Sequence, residues 1–148
     1  MNKASIIETT SQLINLSETE LLTKLEIKPT HIENNLQYEK IKNVTCYHNP
    51  DVHQGHFYVK NGEIQMIYIS NEKVLKSLSF NDLQQQYGPA EQDLRSRVAK
   101  YVQQYVYPEI GLAYTADDEK IYFIEIFPKT TMENYLATIY ETPPIFRK

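Results

Sequence analysis

The chain has 148 residues, with 15 basic and 19 acidic side chains and a formal charge of −4. Hydrophobic residues at 41% and charged residues at 23% describe a chain able to bury a core rather than a disordered one. The acidic balance argues against a dedicated nucleic-acid binder, no run of 18 apolar residues is present to span a membrane, and the N-terminal residues show no secretory signal. Cys46 is the only cysteine, so no internal disulfide is possible and a reducing, cytoplasmic location is expected. Residues 1–148 read as a single domain with internal repeat units at approximately 16–70 and 78–127, followed by a C-terminal helix and tail at 130–148.

The repeat begins with a helix start. Leu16-Ser17-Glu18-Thr19-Glu20-Leu21 matches Leu78-Ser79-Phe80-Asn81-Asp82-Leu83 at an offset of 62. Ser17 and Ser79 are N-cap residues, with Glu20 and Asp82 three positions on as the carboxylates of a capping box. Leu16 with Leu21, and Leu78 with Leu83, occupy hydrophobic-staple positions, and Pro29 and Gly88-Pro89 close the two segments. Residues 1–5 are expected to fray.

Each unit then ends in a hairpin. Ile64-Gln-Met-Ile-Tyr-Ile-Ser70 matches Ile121-Tyr-Phe-Ile-Glu-Ile-Phe127 at an offset of 57. In the first unit the strands flank Asn61-Gly62, the preferred pair for a type I′ turn. In the second, Leu112–Thr115 leads into Ala116-Asp117-Asp118-Glu119, read as a longer polar turn. Between helix and hairpin, residues 41–47 look extended. The spacing of Leu94, Val98, Tyr101, Val102 and Tyr105 predicts a helix from about Glu91 that stops before Tyr105, then a strand. Beyond the repeat, Thr130 and Glu133 form another capping box, and Tyr135, Leu136, Ile139 and Tyr140 make one apolar stripe. This predicts a short helix from about Thr131 to Glu141, followed by a tail, Ile145-Phe146-Arg147-Lys148, apolar enough to dock.

Simple alternation through the hairpins divides the residues into two faces. Phe57, Val59, Ile64, Met66 and Tyr68, with Leu112, Tyr114, Ile121, Phe123 and Phe127, form a face for the helices to cover. The opposite face carries Tyr58, Ile67, Ile69, Tyr122, Ile124 and Ile126, more apolar than an open sheet face should be. Either the C-terminal helix or a protein partner is expected to cover it. Twelve tyrosines against five phenylalanines and no tryptophan suit an interface, though tyrosine is also a common strand residue.

Chemistry is sparse. His48, Asp51, His53 and His56 lie within nine residues and are of the right types for a divalent ion, but their spacing fits no standard site, and Asn49-Pro50-Asp51 and Gln54-Gly55 also read as turns. Cys46 beside His48 or His53 is a formal nucleophile–base pair, or simply a buried hydrophobe. No phosphate loop, G-x-S-x-G or H-E-x-x-H occurs. Arg95, Arg97 and Lys100 beside Tyr101 read as a solvated basic group, and Asp117, Asp118 and Glu119 as a solvated acidic turn or the rim of an interface.

A capped helical segment followed by antiparallel strands, twice over, resembles the β-lactamase-inhibitor-protein-like group, and the single unit resembles small outer-membrane assembly lipoproteins of the BamE type. The chain departs from both in lacking a lipobox cysteine near its start and paired cysteines within each unit. The resemblance implies a protein that presents a sheet surface to another protein. Small acidic cytoplasmic proteins of this kind are, by functional analogy, typical of immunity proteins that neutralise bacterial toxins.

The sequence therefore predicts an α+β fold, a helix-backed antiparallel sheet with a short C-terminal helix. The expected function is a non-enzymatic module that occludes a protein partner, possessing no cofactor and contacting neither nucleic acid nor membrane. Its expected contact residues are Tyr58, Ile67, Ile69, Tyr122, Ile124 and Ile126, with Asp117, Asp118 and Glu119 at the rim. Two alternatives stand beside it: a carrier of a small apolar ligand between sheet and C-terminal helix, and a metal protein built on His48, Asp51, His53 and His56.

Overall fold

The computed structural model describes residues 5–99 and 101–143, with the side chain of Ser5 left aside. The frayed terminus and the docked tail expected from sequence lie largely outside them. The fold is α+β: the described residues form five short α-helices on an eight-stranded, wholly antiparallel sheet. Among the described residues no helix is long and apolar enough to cross a membrane.

Each half contributes two helices and a four-stranded meander. The first half has α1 (Ser5–Ser11) and α2 (Glu18–Lys24), then β1 (Ile32–Tyr38), β2 (Ile41–Tyr47), β3 (His56–Lys60) and β4 (Glu63–Ile69). The second has α3 (Glu72–Lys76) and α4 (Phe80–Tyr87), then β5 (Gln92–Arg95), β6 (Gln103–Tyr107), β7 (Leu112–Ala116) and β8 (Ile121–Ile126). The helix starts are those the sequence marks. Ser17 accepts from the Glu20 amide while the Glu20 carboxylate accepts from the Ser17 amide, at 3.2 and 3.0 Å. Ser79 accepts from the Asp82 amide at 3.0 Å. These helices are too short to stand alone in water, so burial of their apolar sides must hold them. Ile7, Leu21, Leu25, Leu75, Leu78 and Leu83 all enter one core against the sheet.

The segment after Gly88 corrects the predicted helix. Residues 92–95 and 103–107 are paired strands, Gln92 with Val106 through Arg95 with Gln103. Tyr105, Val106 and Tyr107 are strand formers, and cross-strand pairing outweighs the accidental helical spacing. At the C-terminus, α5 (Met132–Thr138) is capped by Thr131, which accepts from the Asn134 amide at 3.1 Å, and not by Thr130. Gly111, between β6 and β7, has φ of 70°, and a Cβ there would lie 2.1 Å from the Phe127 carbonyl oxygen. Only glycine fits that approach.

The strand order β1-β2-β3-β4-β8-β7-β6-β5 joins the two meanders along their last strands. Ile67 pairs with Ile126, Tyr68 with Glu125, and Ile69 with Ile124. Exchanging each residue for its counterpart at the 57-residue offset returns the same three pairs, so a local twofold axis passes between Tyr68 and Glu125.

Both hairpins depart from simple alternation at equivalent places. Val59 faces Ile64 but Tyr58 faces Met66, leaving Gln65 as an extra residue. Ala116 faces Ile121 but Thr115 faces Phe123, leaving Tyr122 extra. Each is a β-bulge, and each moves every later residue of its strand to the opposite face. Ile67, Ile69, Ile124 and Ile126 therefore point under the helices, while Met66, Tyr68, Phe123 and Phe127 point away. The second turn is also shorter than expected: the Asp117 amide donates to the Lys120 carbonyl at 3.1 Å, so only Asp118 and Glu119 span it, as Asn61 and Gly62 span the first.

Candidate functional site

The face away from α1–α4 is closed by α5 and by the β5–β6 loop. Tyr135 of α5 stacks on Phe127 with ring centroids 5.1 Å apart, and Met132, Ile139 and Tyr140 pack beside it with Met66, Val106 and Ala113. These side chains pack together between sheet and α5 as a second apolar cluster.

At the centre of this face sits Glu125, fully buried. Its carboxylate accepts from the Tyr135 hydroxyl at 2.6 Å and Gln104 Nε2 at 3.1 Å, and also from the Tyr38 hydroxyl. Arg97 Nη1 lies 3.5 Å from Glu125 and 2.5 Å from Glu39. The guanidinium lies over the rings of Phe123, Tyr38 and Tyr68, with centroids 4.4, 5.1 and 5.8 Å away. Burial works against the charge on Arg97, but Tyr38, Glu125 and Glu39 hold its pKa above the ordinary guanidinium value. Burial first, and then the charge of Glu125, pushes the Tyr38 and Tyr135 phenols well up, so both stay protonated as donors. Burial also raises Glu39, against the opposing pull of Arg97. The network satisfies itself internally, and its role is to clamp.

What it clamps is the β5–β6 loop. Arg97 is the loop's inward anchor, and Ser96, almost fully buried, has its amide on the Val102 carbonyl at 3.1 Å. The Tyr140 hydroxyl reaches the Arg95 carbonyl, and Arg95 Nη2 reaches the Pro143 carbonyl, both at 2.7 Å. On this fastened base Val98 and Tyr101 point outward, 42% and 84% exposed. Glu39, which holds Arg97, stands in the β1–β2 turn next to Lys40. Lys40 in turn lines an open groove of about 530 Å³ between α5 and strands β2–β4, bordered also by Lys42, Lys60 and Lys129.

The contact residues expected from sequence are redistributed. Ile67, Ile69, Ile124 and Ile126 are each at most 1% exposed beneath the helices, so no partner reaches them in this fold. The bulges are the reason. Tyr58 is half-buried against Tyr38, with centroids 4.9 Å apart, and belongs to the second core. The Tyr122 hydroxyl donates to Asp117 Oδ2 at 2.7 Å, and Asp117 Oδ1 accepts from the Glu119 and Lys120 amides, which fixes the turn. That bond from Tyr122, and then the two amides, lower the Asp117 pKa. Asp118 and Glu119 are exposed. Several tyrosine hydroxyls serve the interior: Tyr107 and Tyr114 are 3.0 Å apart, and Gln84 donates to both.

The histidine loop does not converge. Among the described residues no three His, Cys, Asp or Glu side chains are placed to hold a metal ion. Asp51 is exposed. His48 Nδ1 donates to the Gly55 carbonyl at 2.9 Å, while His53 Nδ1 accepts from the Gly55 amide at 2.8 Å and its Nε2 donates to Thr10 at 3.0 Å. His56 stacks on His48 with centroids 3.8 Å apart. Cys46 lies 4.0 Å from His56, and burial pushes its thiol up to about 11, the wrong direction for a nucleophile. Sequence reading missed Arg97 and Glu125 as a pair. The one signal was a lone carboxylate in an otherwise apolar strand, Ile121–Ile126.

No protein family model matches this chain, and no curated protein or solved structure is significantly similar to it.

Proposed function

We propose that the protein is a non-enzymatic binding module that occludes a protein partner, in the manner of an inhibitor or a toxin-immunity protein. The observation that carries this reading is the β5–β6 loop. It presents an apolar pair, Val98 and Tyr101, on a base fixed by the half-buried Arg97 guanidinium, a buried carboxylate and three aromatic rings. An exposed tyrosine whose loop is fastened at Ser96 and Arg97 suits an interface anchor, which gains from holding its neighbours in place before docking. The duplicated helix-and-sheet unit is also what the resemblance to the β-lactamase-inhibitor-protein-like group implies.

The test is co-purification from the native host with the wild-type chain and with a Val98→Asp, Tyr101→Asp variant. A stoichiometric protein partner is expected with the first and lost with the second. A wild-type chain that emerges strictly monomeric and alone overturns the proposal, as does a partner retained unchanged by the variant.

A further inference from the structure

We propose that the groove beside α5 docks an acidic segment of the partner, one that also carries apolar side chains; this rests on the binding-module reading. Lys40, Lys42, Lys60 and Lys129 border the groove, while Ile41 and Ile139 contribute apolar surface. No carboxylate lines it among the described residues, in a chain whose formal charge is −4. The carboxylates nearest in sequence to Lys40, Lys42 and Lys60 leave these three lysines unpaired by them. Glu39 is held by Arg97, and Glu63, opposite Lys60 across the hairpin, is in no ion pair with it. Lys40 is pre-positioned, its Nζ donating to the Leu136 carbonyl at 2.8 Å and its backbone amide to the Ile139 carbonyl at 3.1 Å.

The composition of the rim selects among anions. No aromatic side chain among the described residues lines the groove, so they give bases of a single strand nothing to stack on. No arginine among the described residues lines it either, so they offer no planar two-point grip suited to a phosphate. Four separated ammonium groups beside apolar surface fit carboxylates spaced along a peptide with aliphatic residues between them. Arg147 and Lys148 carry the same sign of charge as the groove.

The probe is a short labelled peptide of Glu and Leu, compared with the same peptide carrying Gln for every Glu, binding to the full chain by fluorescence anisotropy. The Glu peptide is expected to bind and to weaken as salt is raised. Lys42→Glu with Lys60→Glu should weaken it about tenfold, equivalent to ~1.4 kcal/mol. Thermal melts that match wild type establish that this variant folds, and Lys76→Glu, a lysine paired with Glu72 outside the groove, should leave binding unchanged. Equal binding of the Gln peptide, indifference to the charge reversal, or stronger competition by an oligonucleotide or inorganic phosphate each overturns the proposal. Self-association abolished by Asp118→Lys also overturns it, since a second copy would then be the occupant. If the peptide fails while the partner is still captured through Tyr101, the groove alone is wrong. If the peptide binds while no partner is captured, the loop reading is wrong and the groove stands.

Discussion

The two halves of the molecule share a backbone plan and differ in their polar chemistry. Both run two helices and then four strands, and both bulge at the residue after the hairpin's first isoleucine, Gln65 in one and Tyr122 in the other. At the seam, however, Tyr68 faces Glu125, and at the hairpin tips Lys60 and Glu63 correspond to Asp117 and Lys120 with the signs reversed. All four histidines belong to the first half. The apolar repeat dictates where the chain goes, so residues that only decorate that path are free to diverge.

The seam is where this comparison breaks hardest. Glu125→Ala is expected to cost about 3–5 kcal/mol in urea unfolding, because Arg97 loses a buried counter-charge and three donors lose their acceptor. Tyr68→Phe, at its counterpart, should cost less than about 1 kcal/mol. The bulges come next. Ile67→Ala and Ile124→Ala should each cost about 2–5 kcal/mol, as equivalent core positions do. A near-neutral result at either would mean that the alternation runs straight through after all. A smaller contrast lies in the caps. Ser79→Ala should lower stability by about 1 kcal/mol, and Ser17→Ala by more, since only Ser17 has its bond reciprocated by Glu20 among the bonds described.

Acid should separate the halves most gently. His53 and His56 are held below the usual imidazole value of 6.5, by burial first and then by His48. The unfolded chain therefore binds more protons than the folded one in the window below that value. Stability from this source is complete above the unfolded pKa and is lost as pH falls through the folded values. Hydrogen exchange followed from neutral pH downward should show β2 and β3 losing protection before β6 and β7. His53→Gln with His56→Asn should flatten the difference.

Local chemistry made part of this fold legible. The Ser17 and Ser79 caps, the Asn61-Gly62 turn and the paired isoleucine strands are each specified within a few residues, and α2, α4, β4 and β8 follow from them. The bulges were hidden because alternation through Ile64-Gln-Met-Ile-Tyr-Ile is self-consistent in either register. Four isoleucines repeated at one offset were the hint, since β-branched side chains recurring there suit a core. The strand β5 was masked by an accidental helical spacing. The Arg97–Glu125 clamp was invisible for a different reason: its members lie 28 residues apart and meet only through a loop that folds back across the sheet.

Joining the two meanders along β4 and β8 in one chain has a consequence that a pair of separate subunits would lack. A homodimer built on that axis must show the same surface at both ends, because every change in one copy is imposed on the other. Covalent fusion removes the requirement. One end has gathered lysines while the other has an aspartate-rich tip, so the molecule acquires a polarity, and a visitor can tell its left hand from its right.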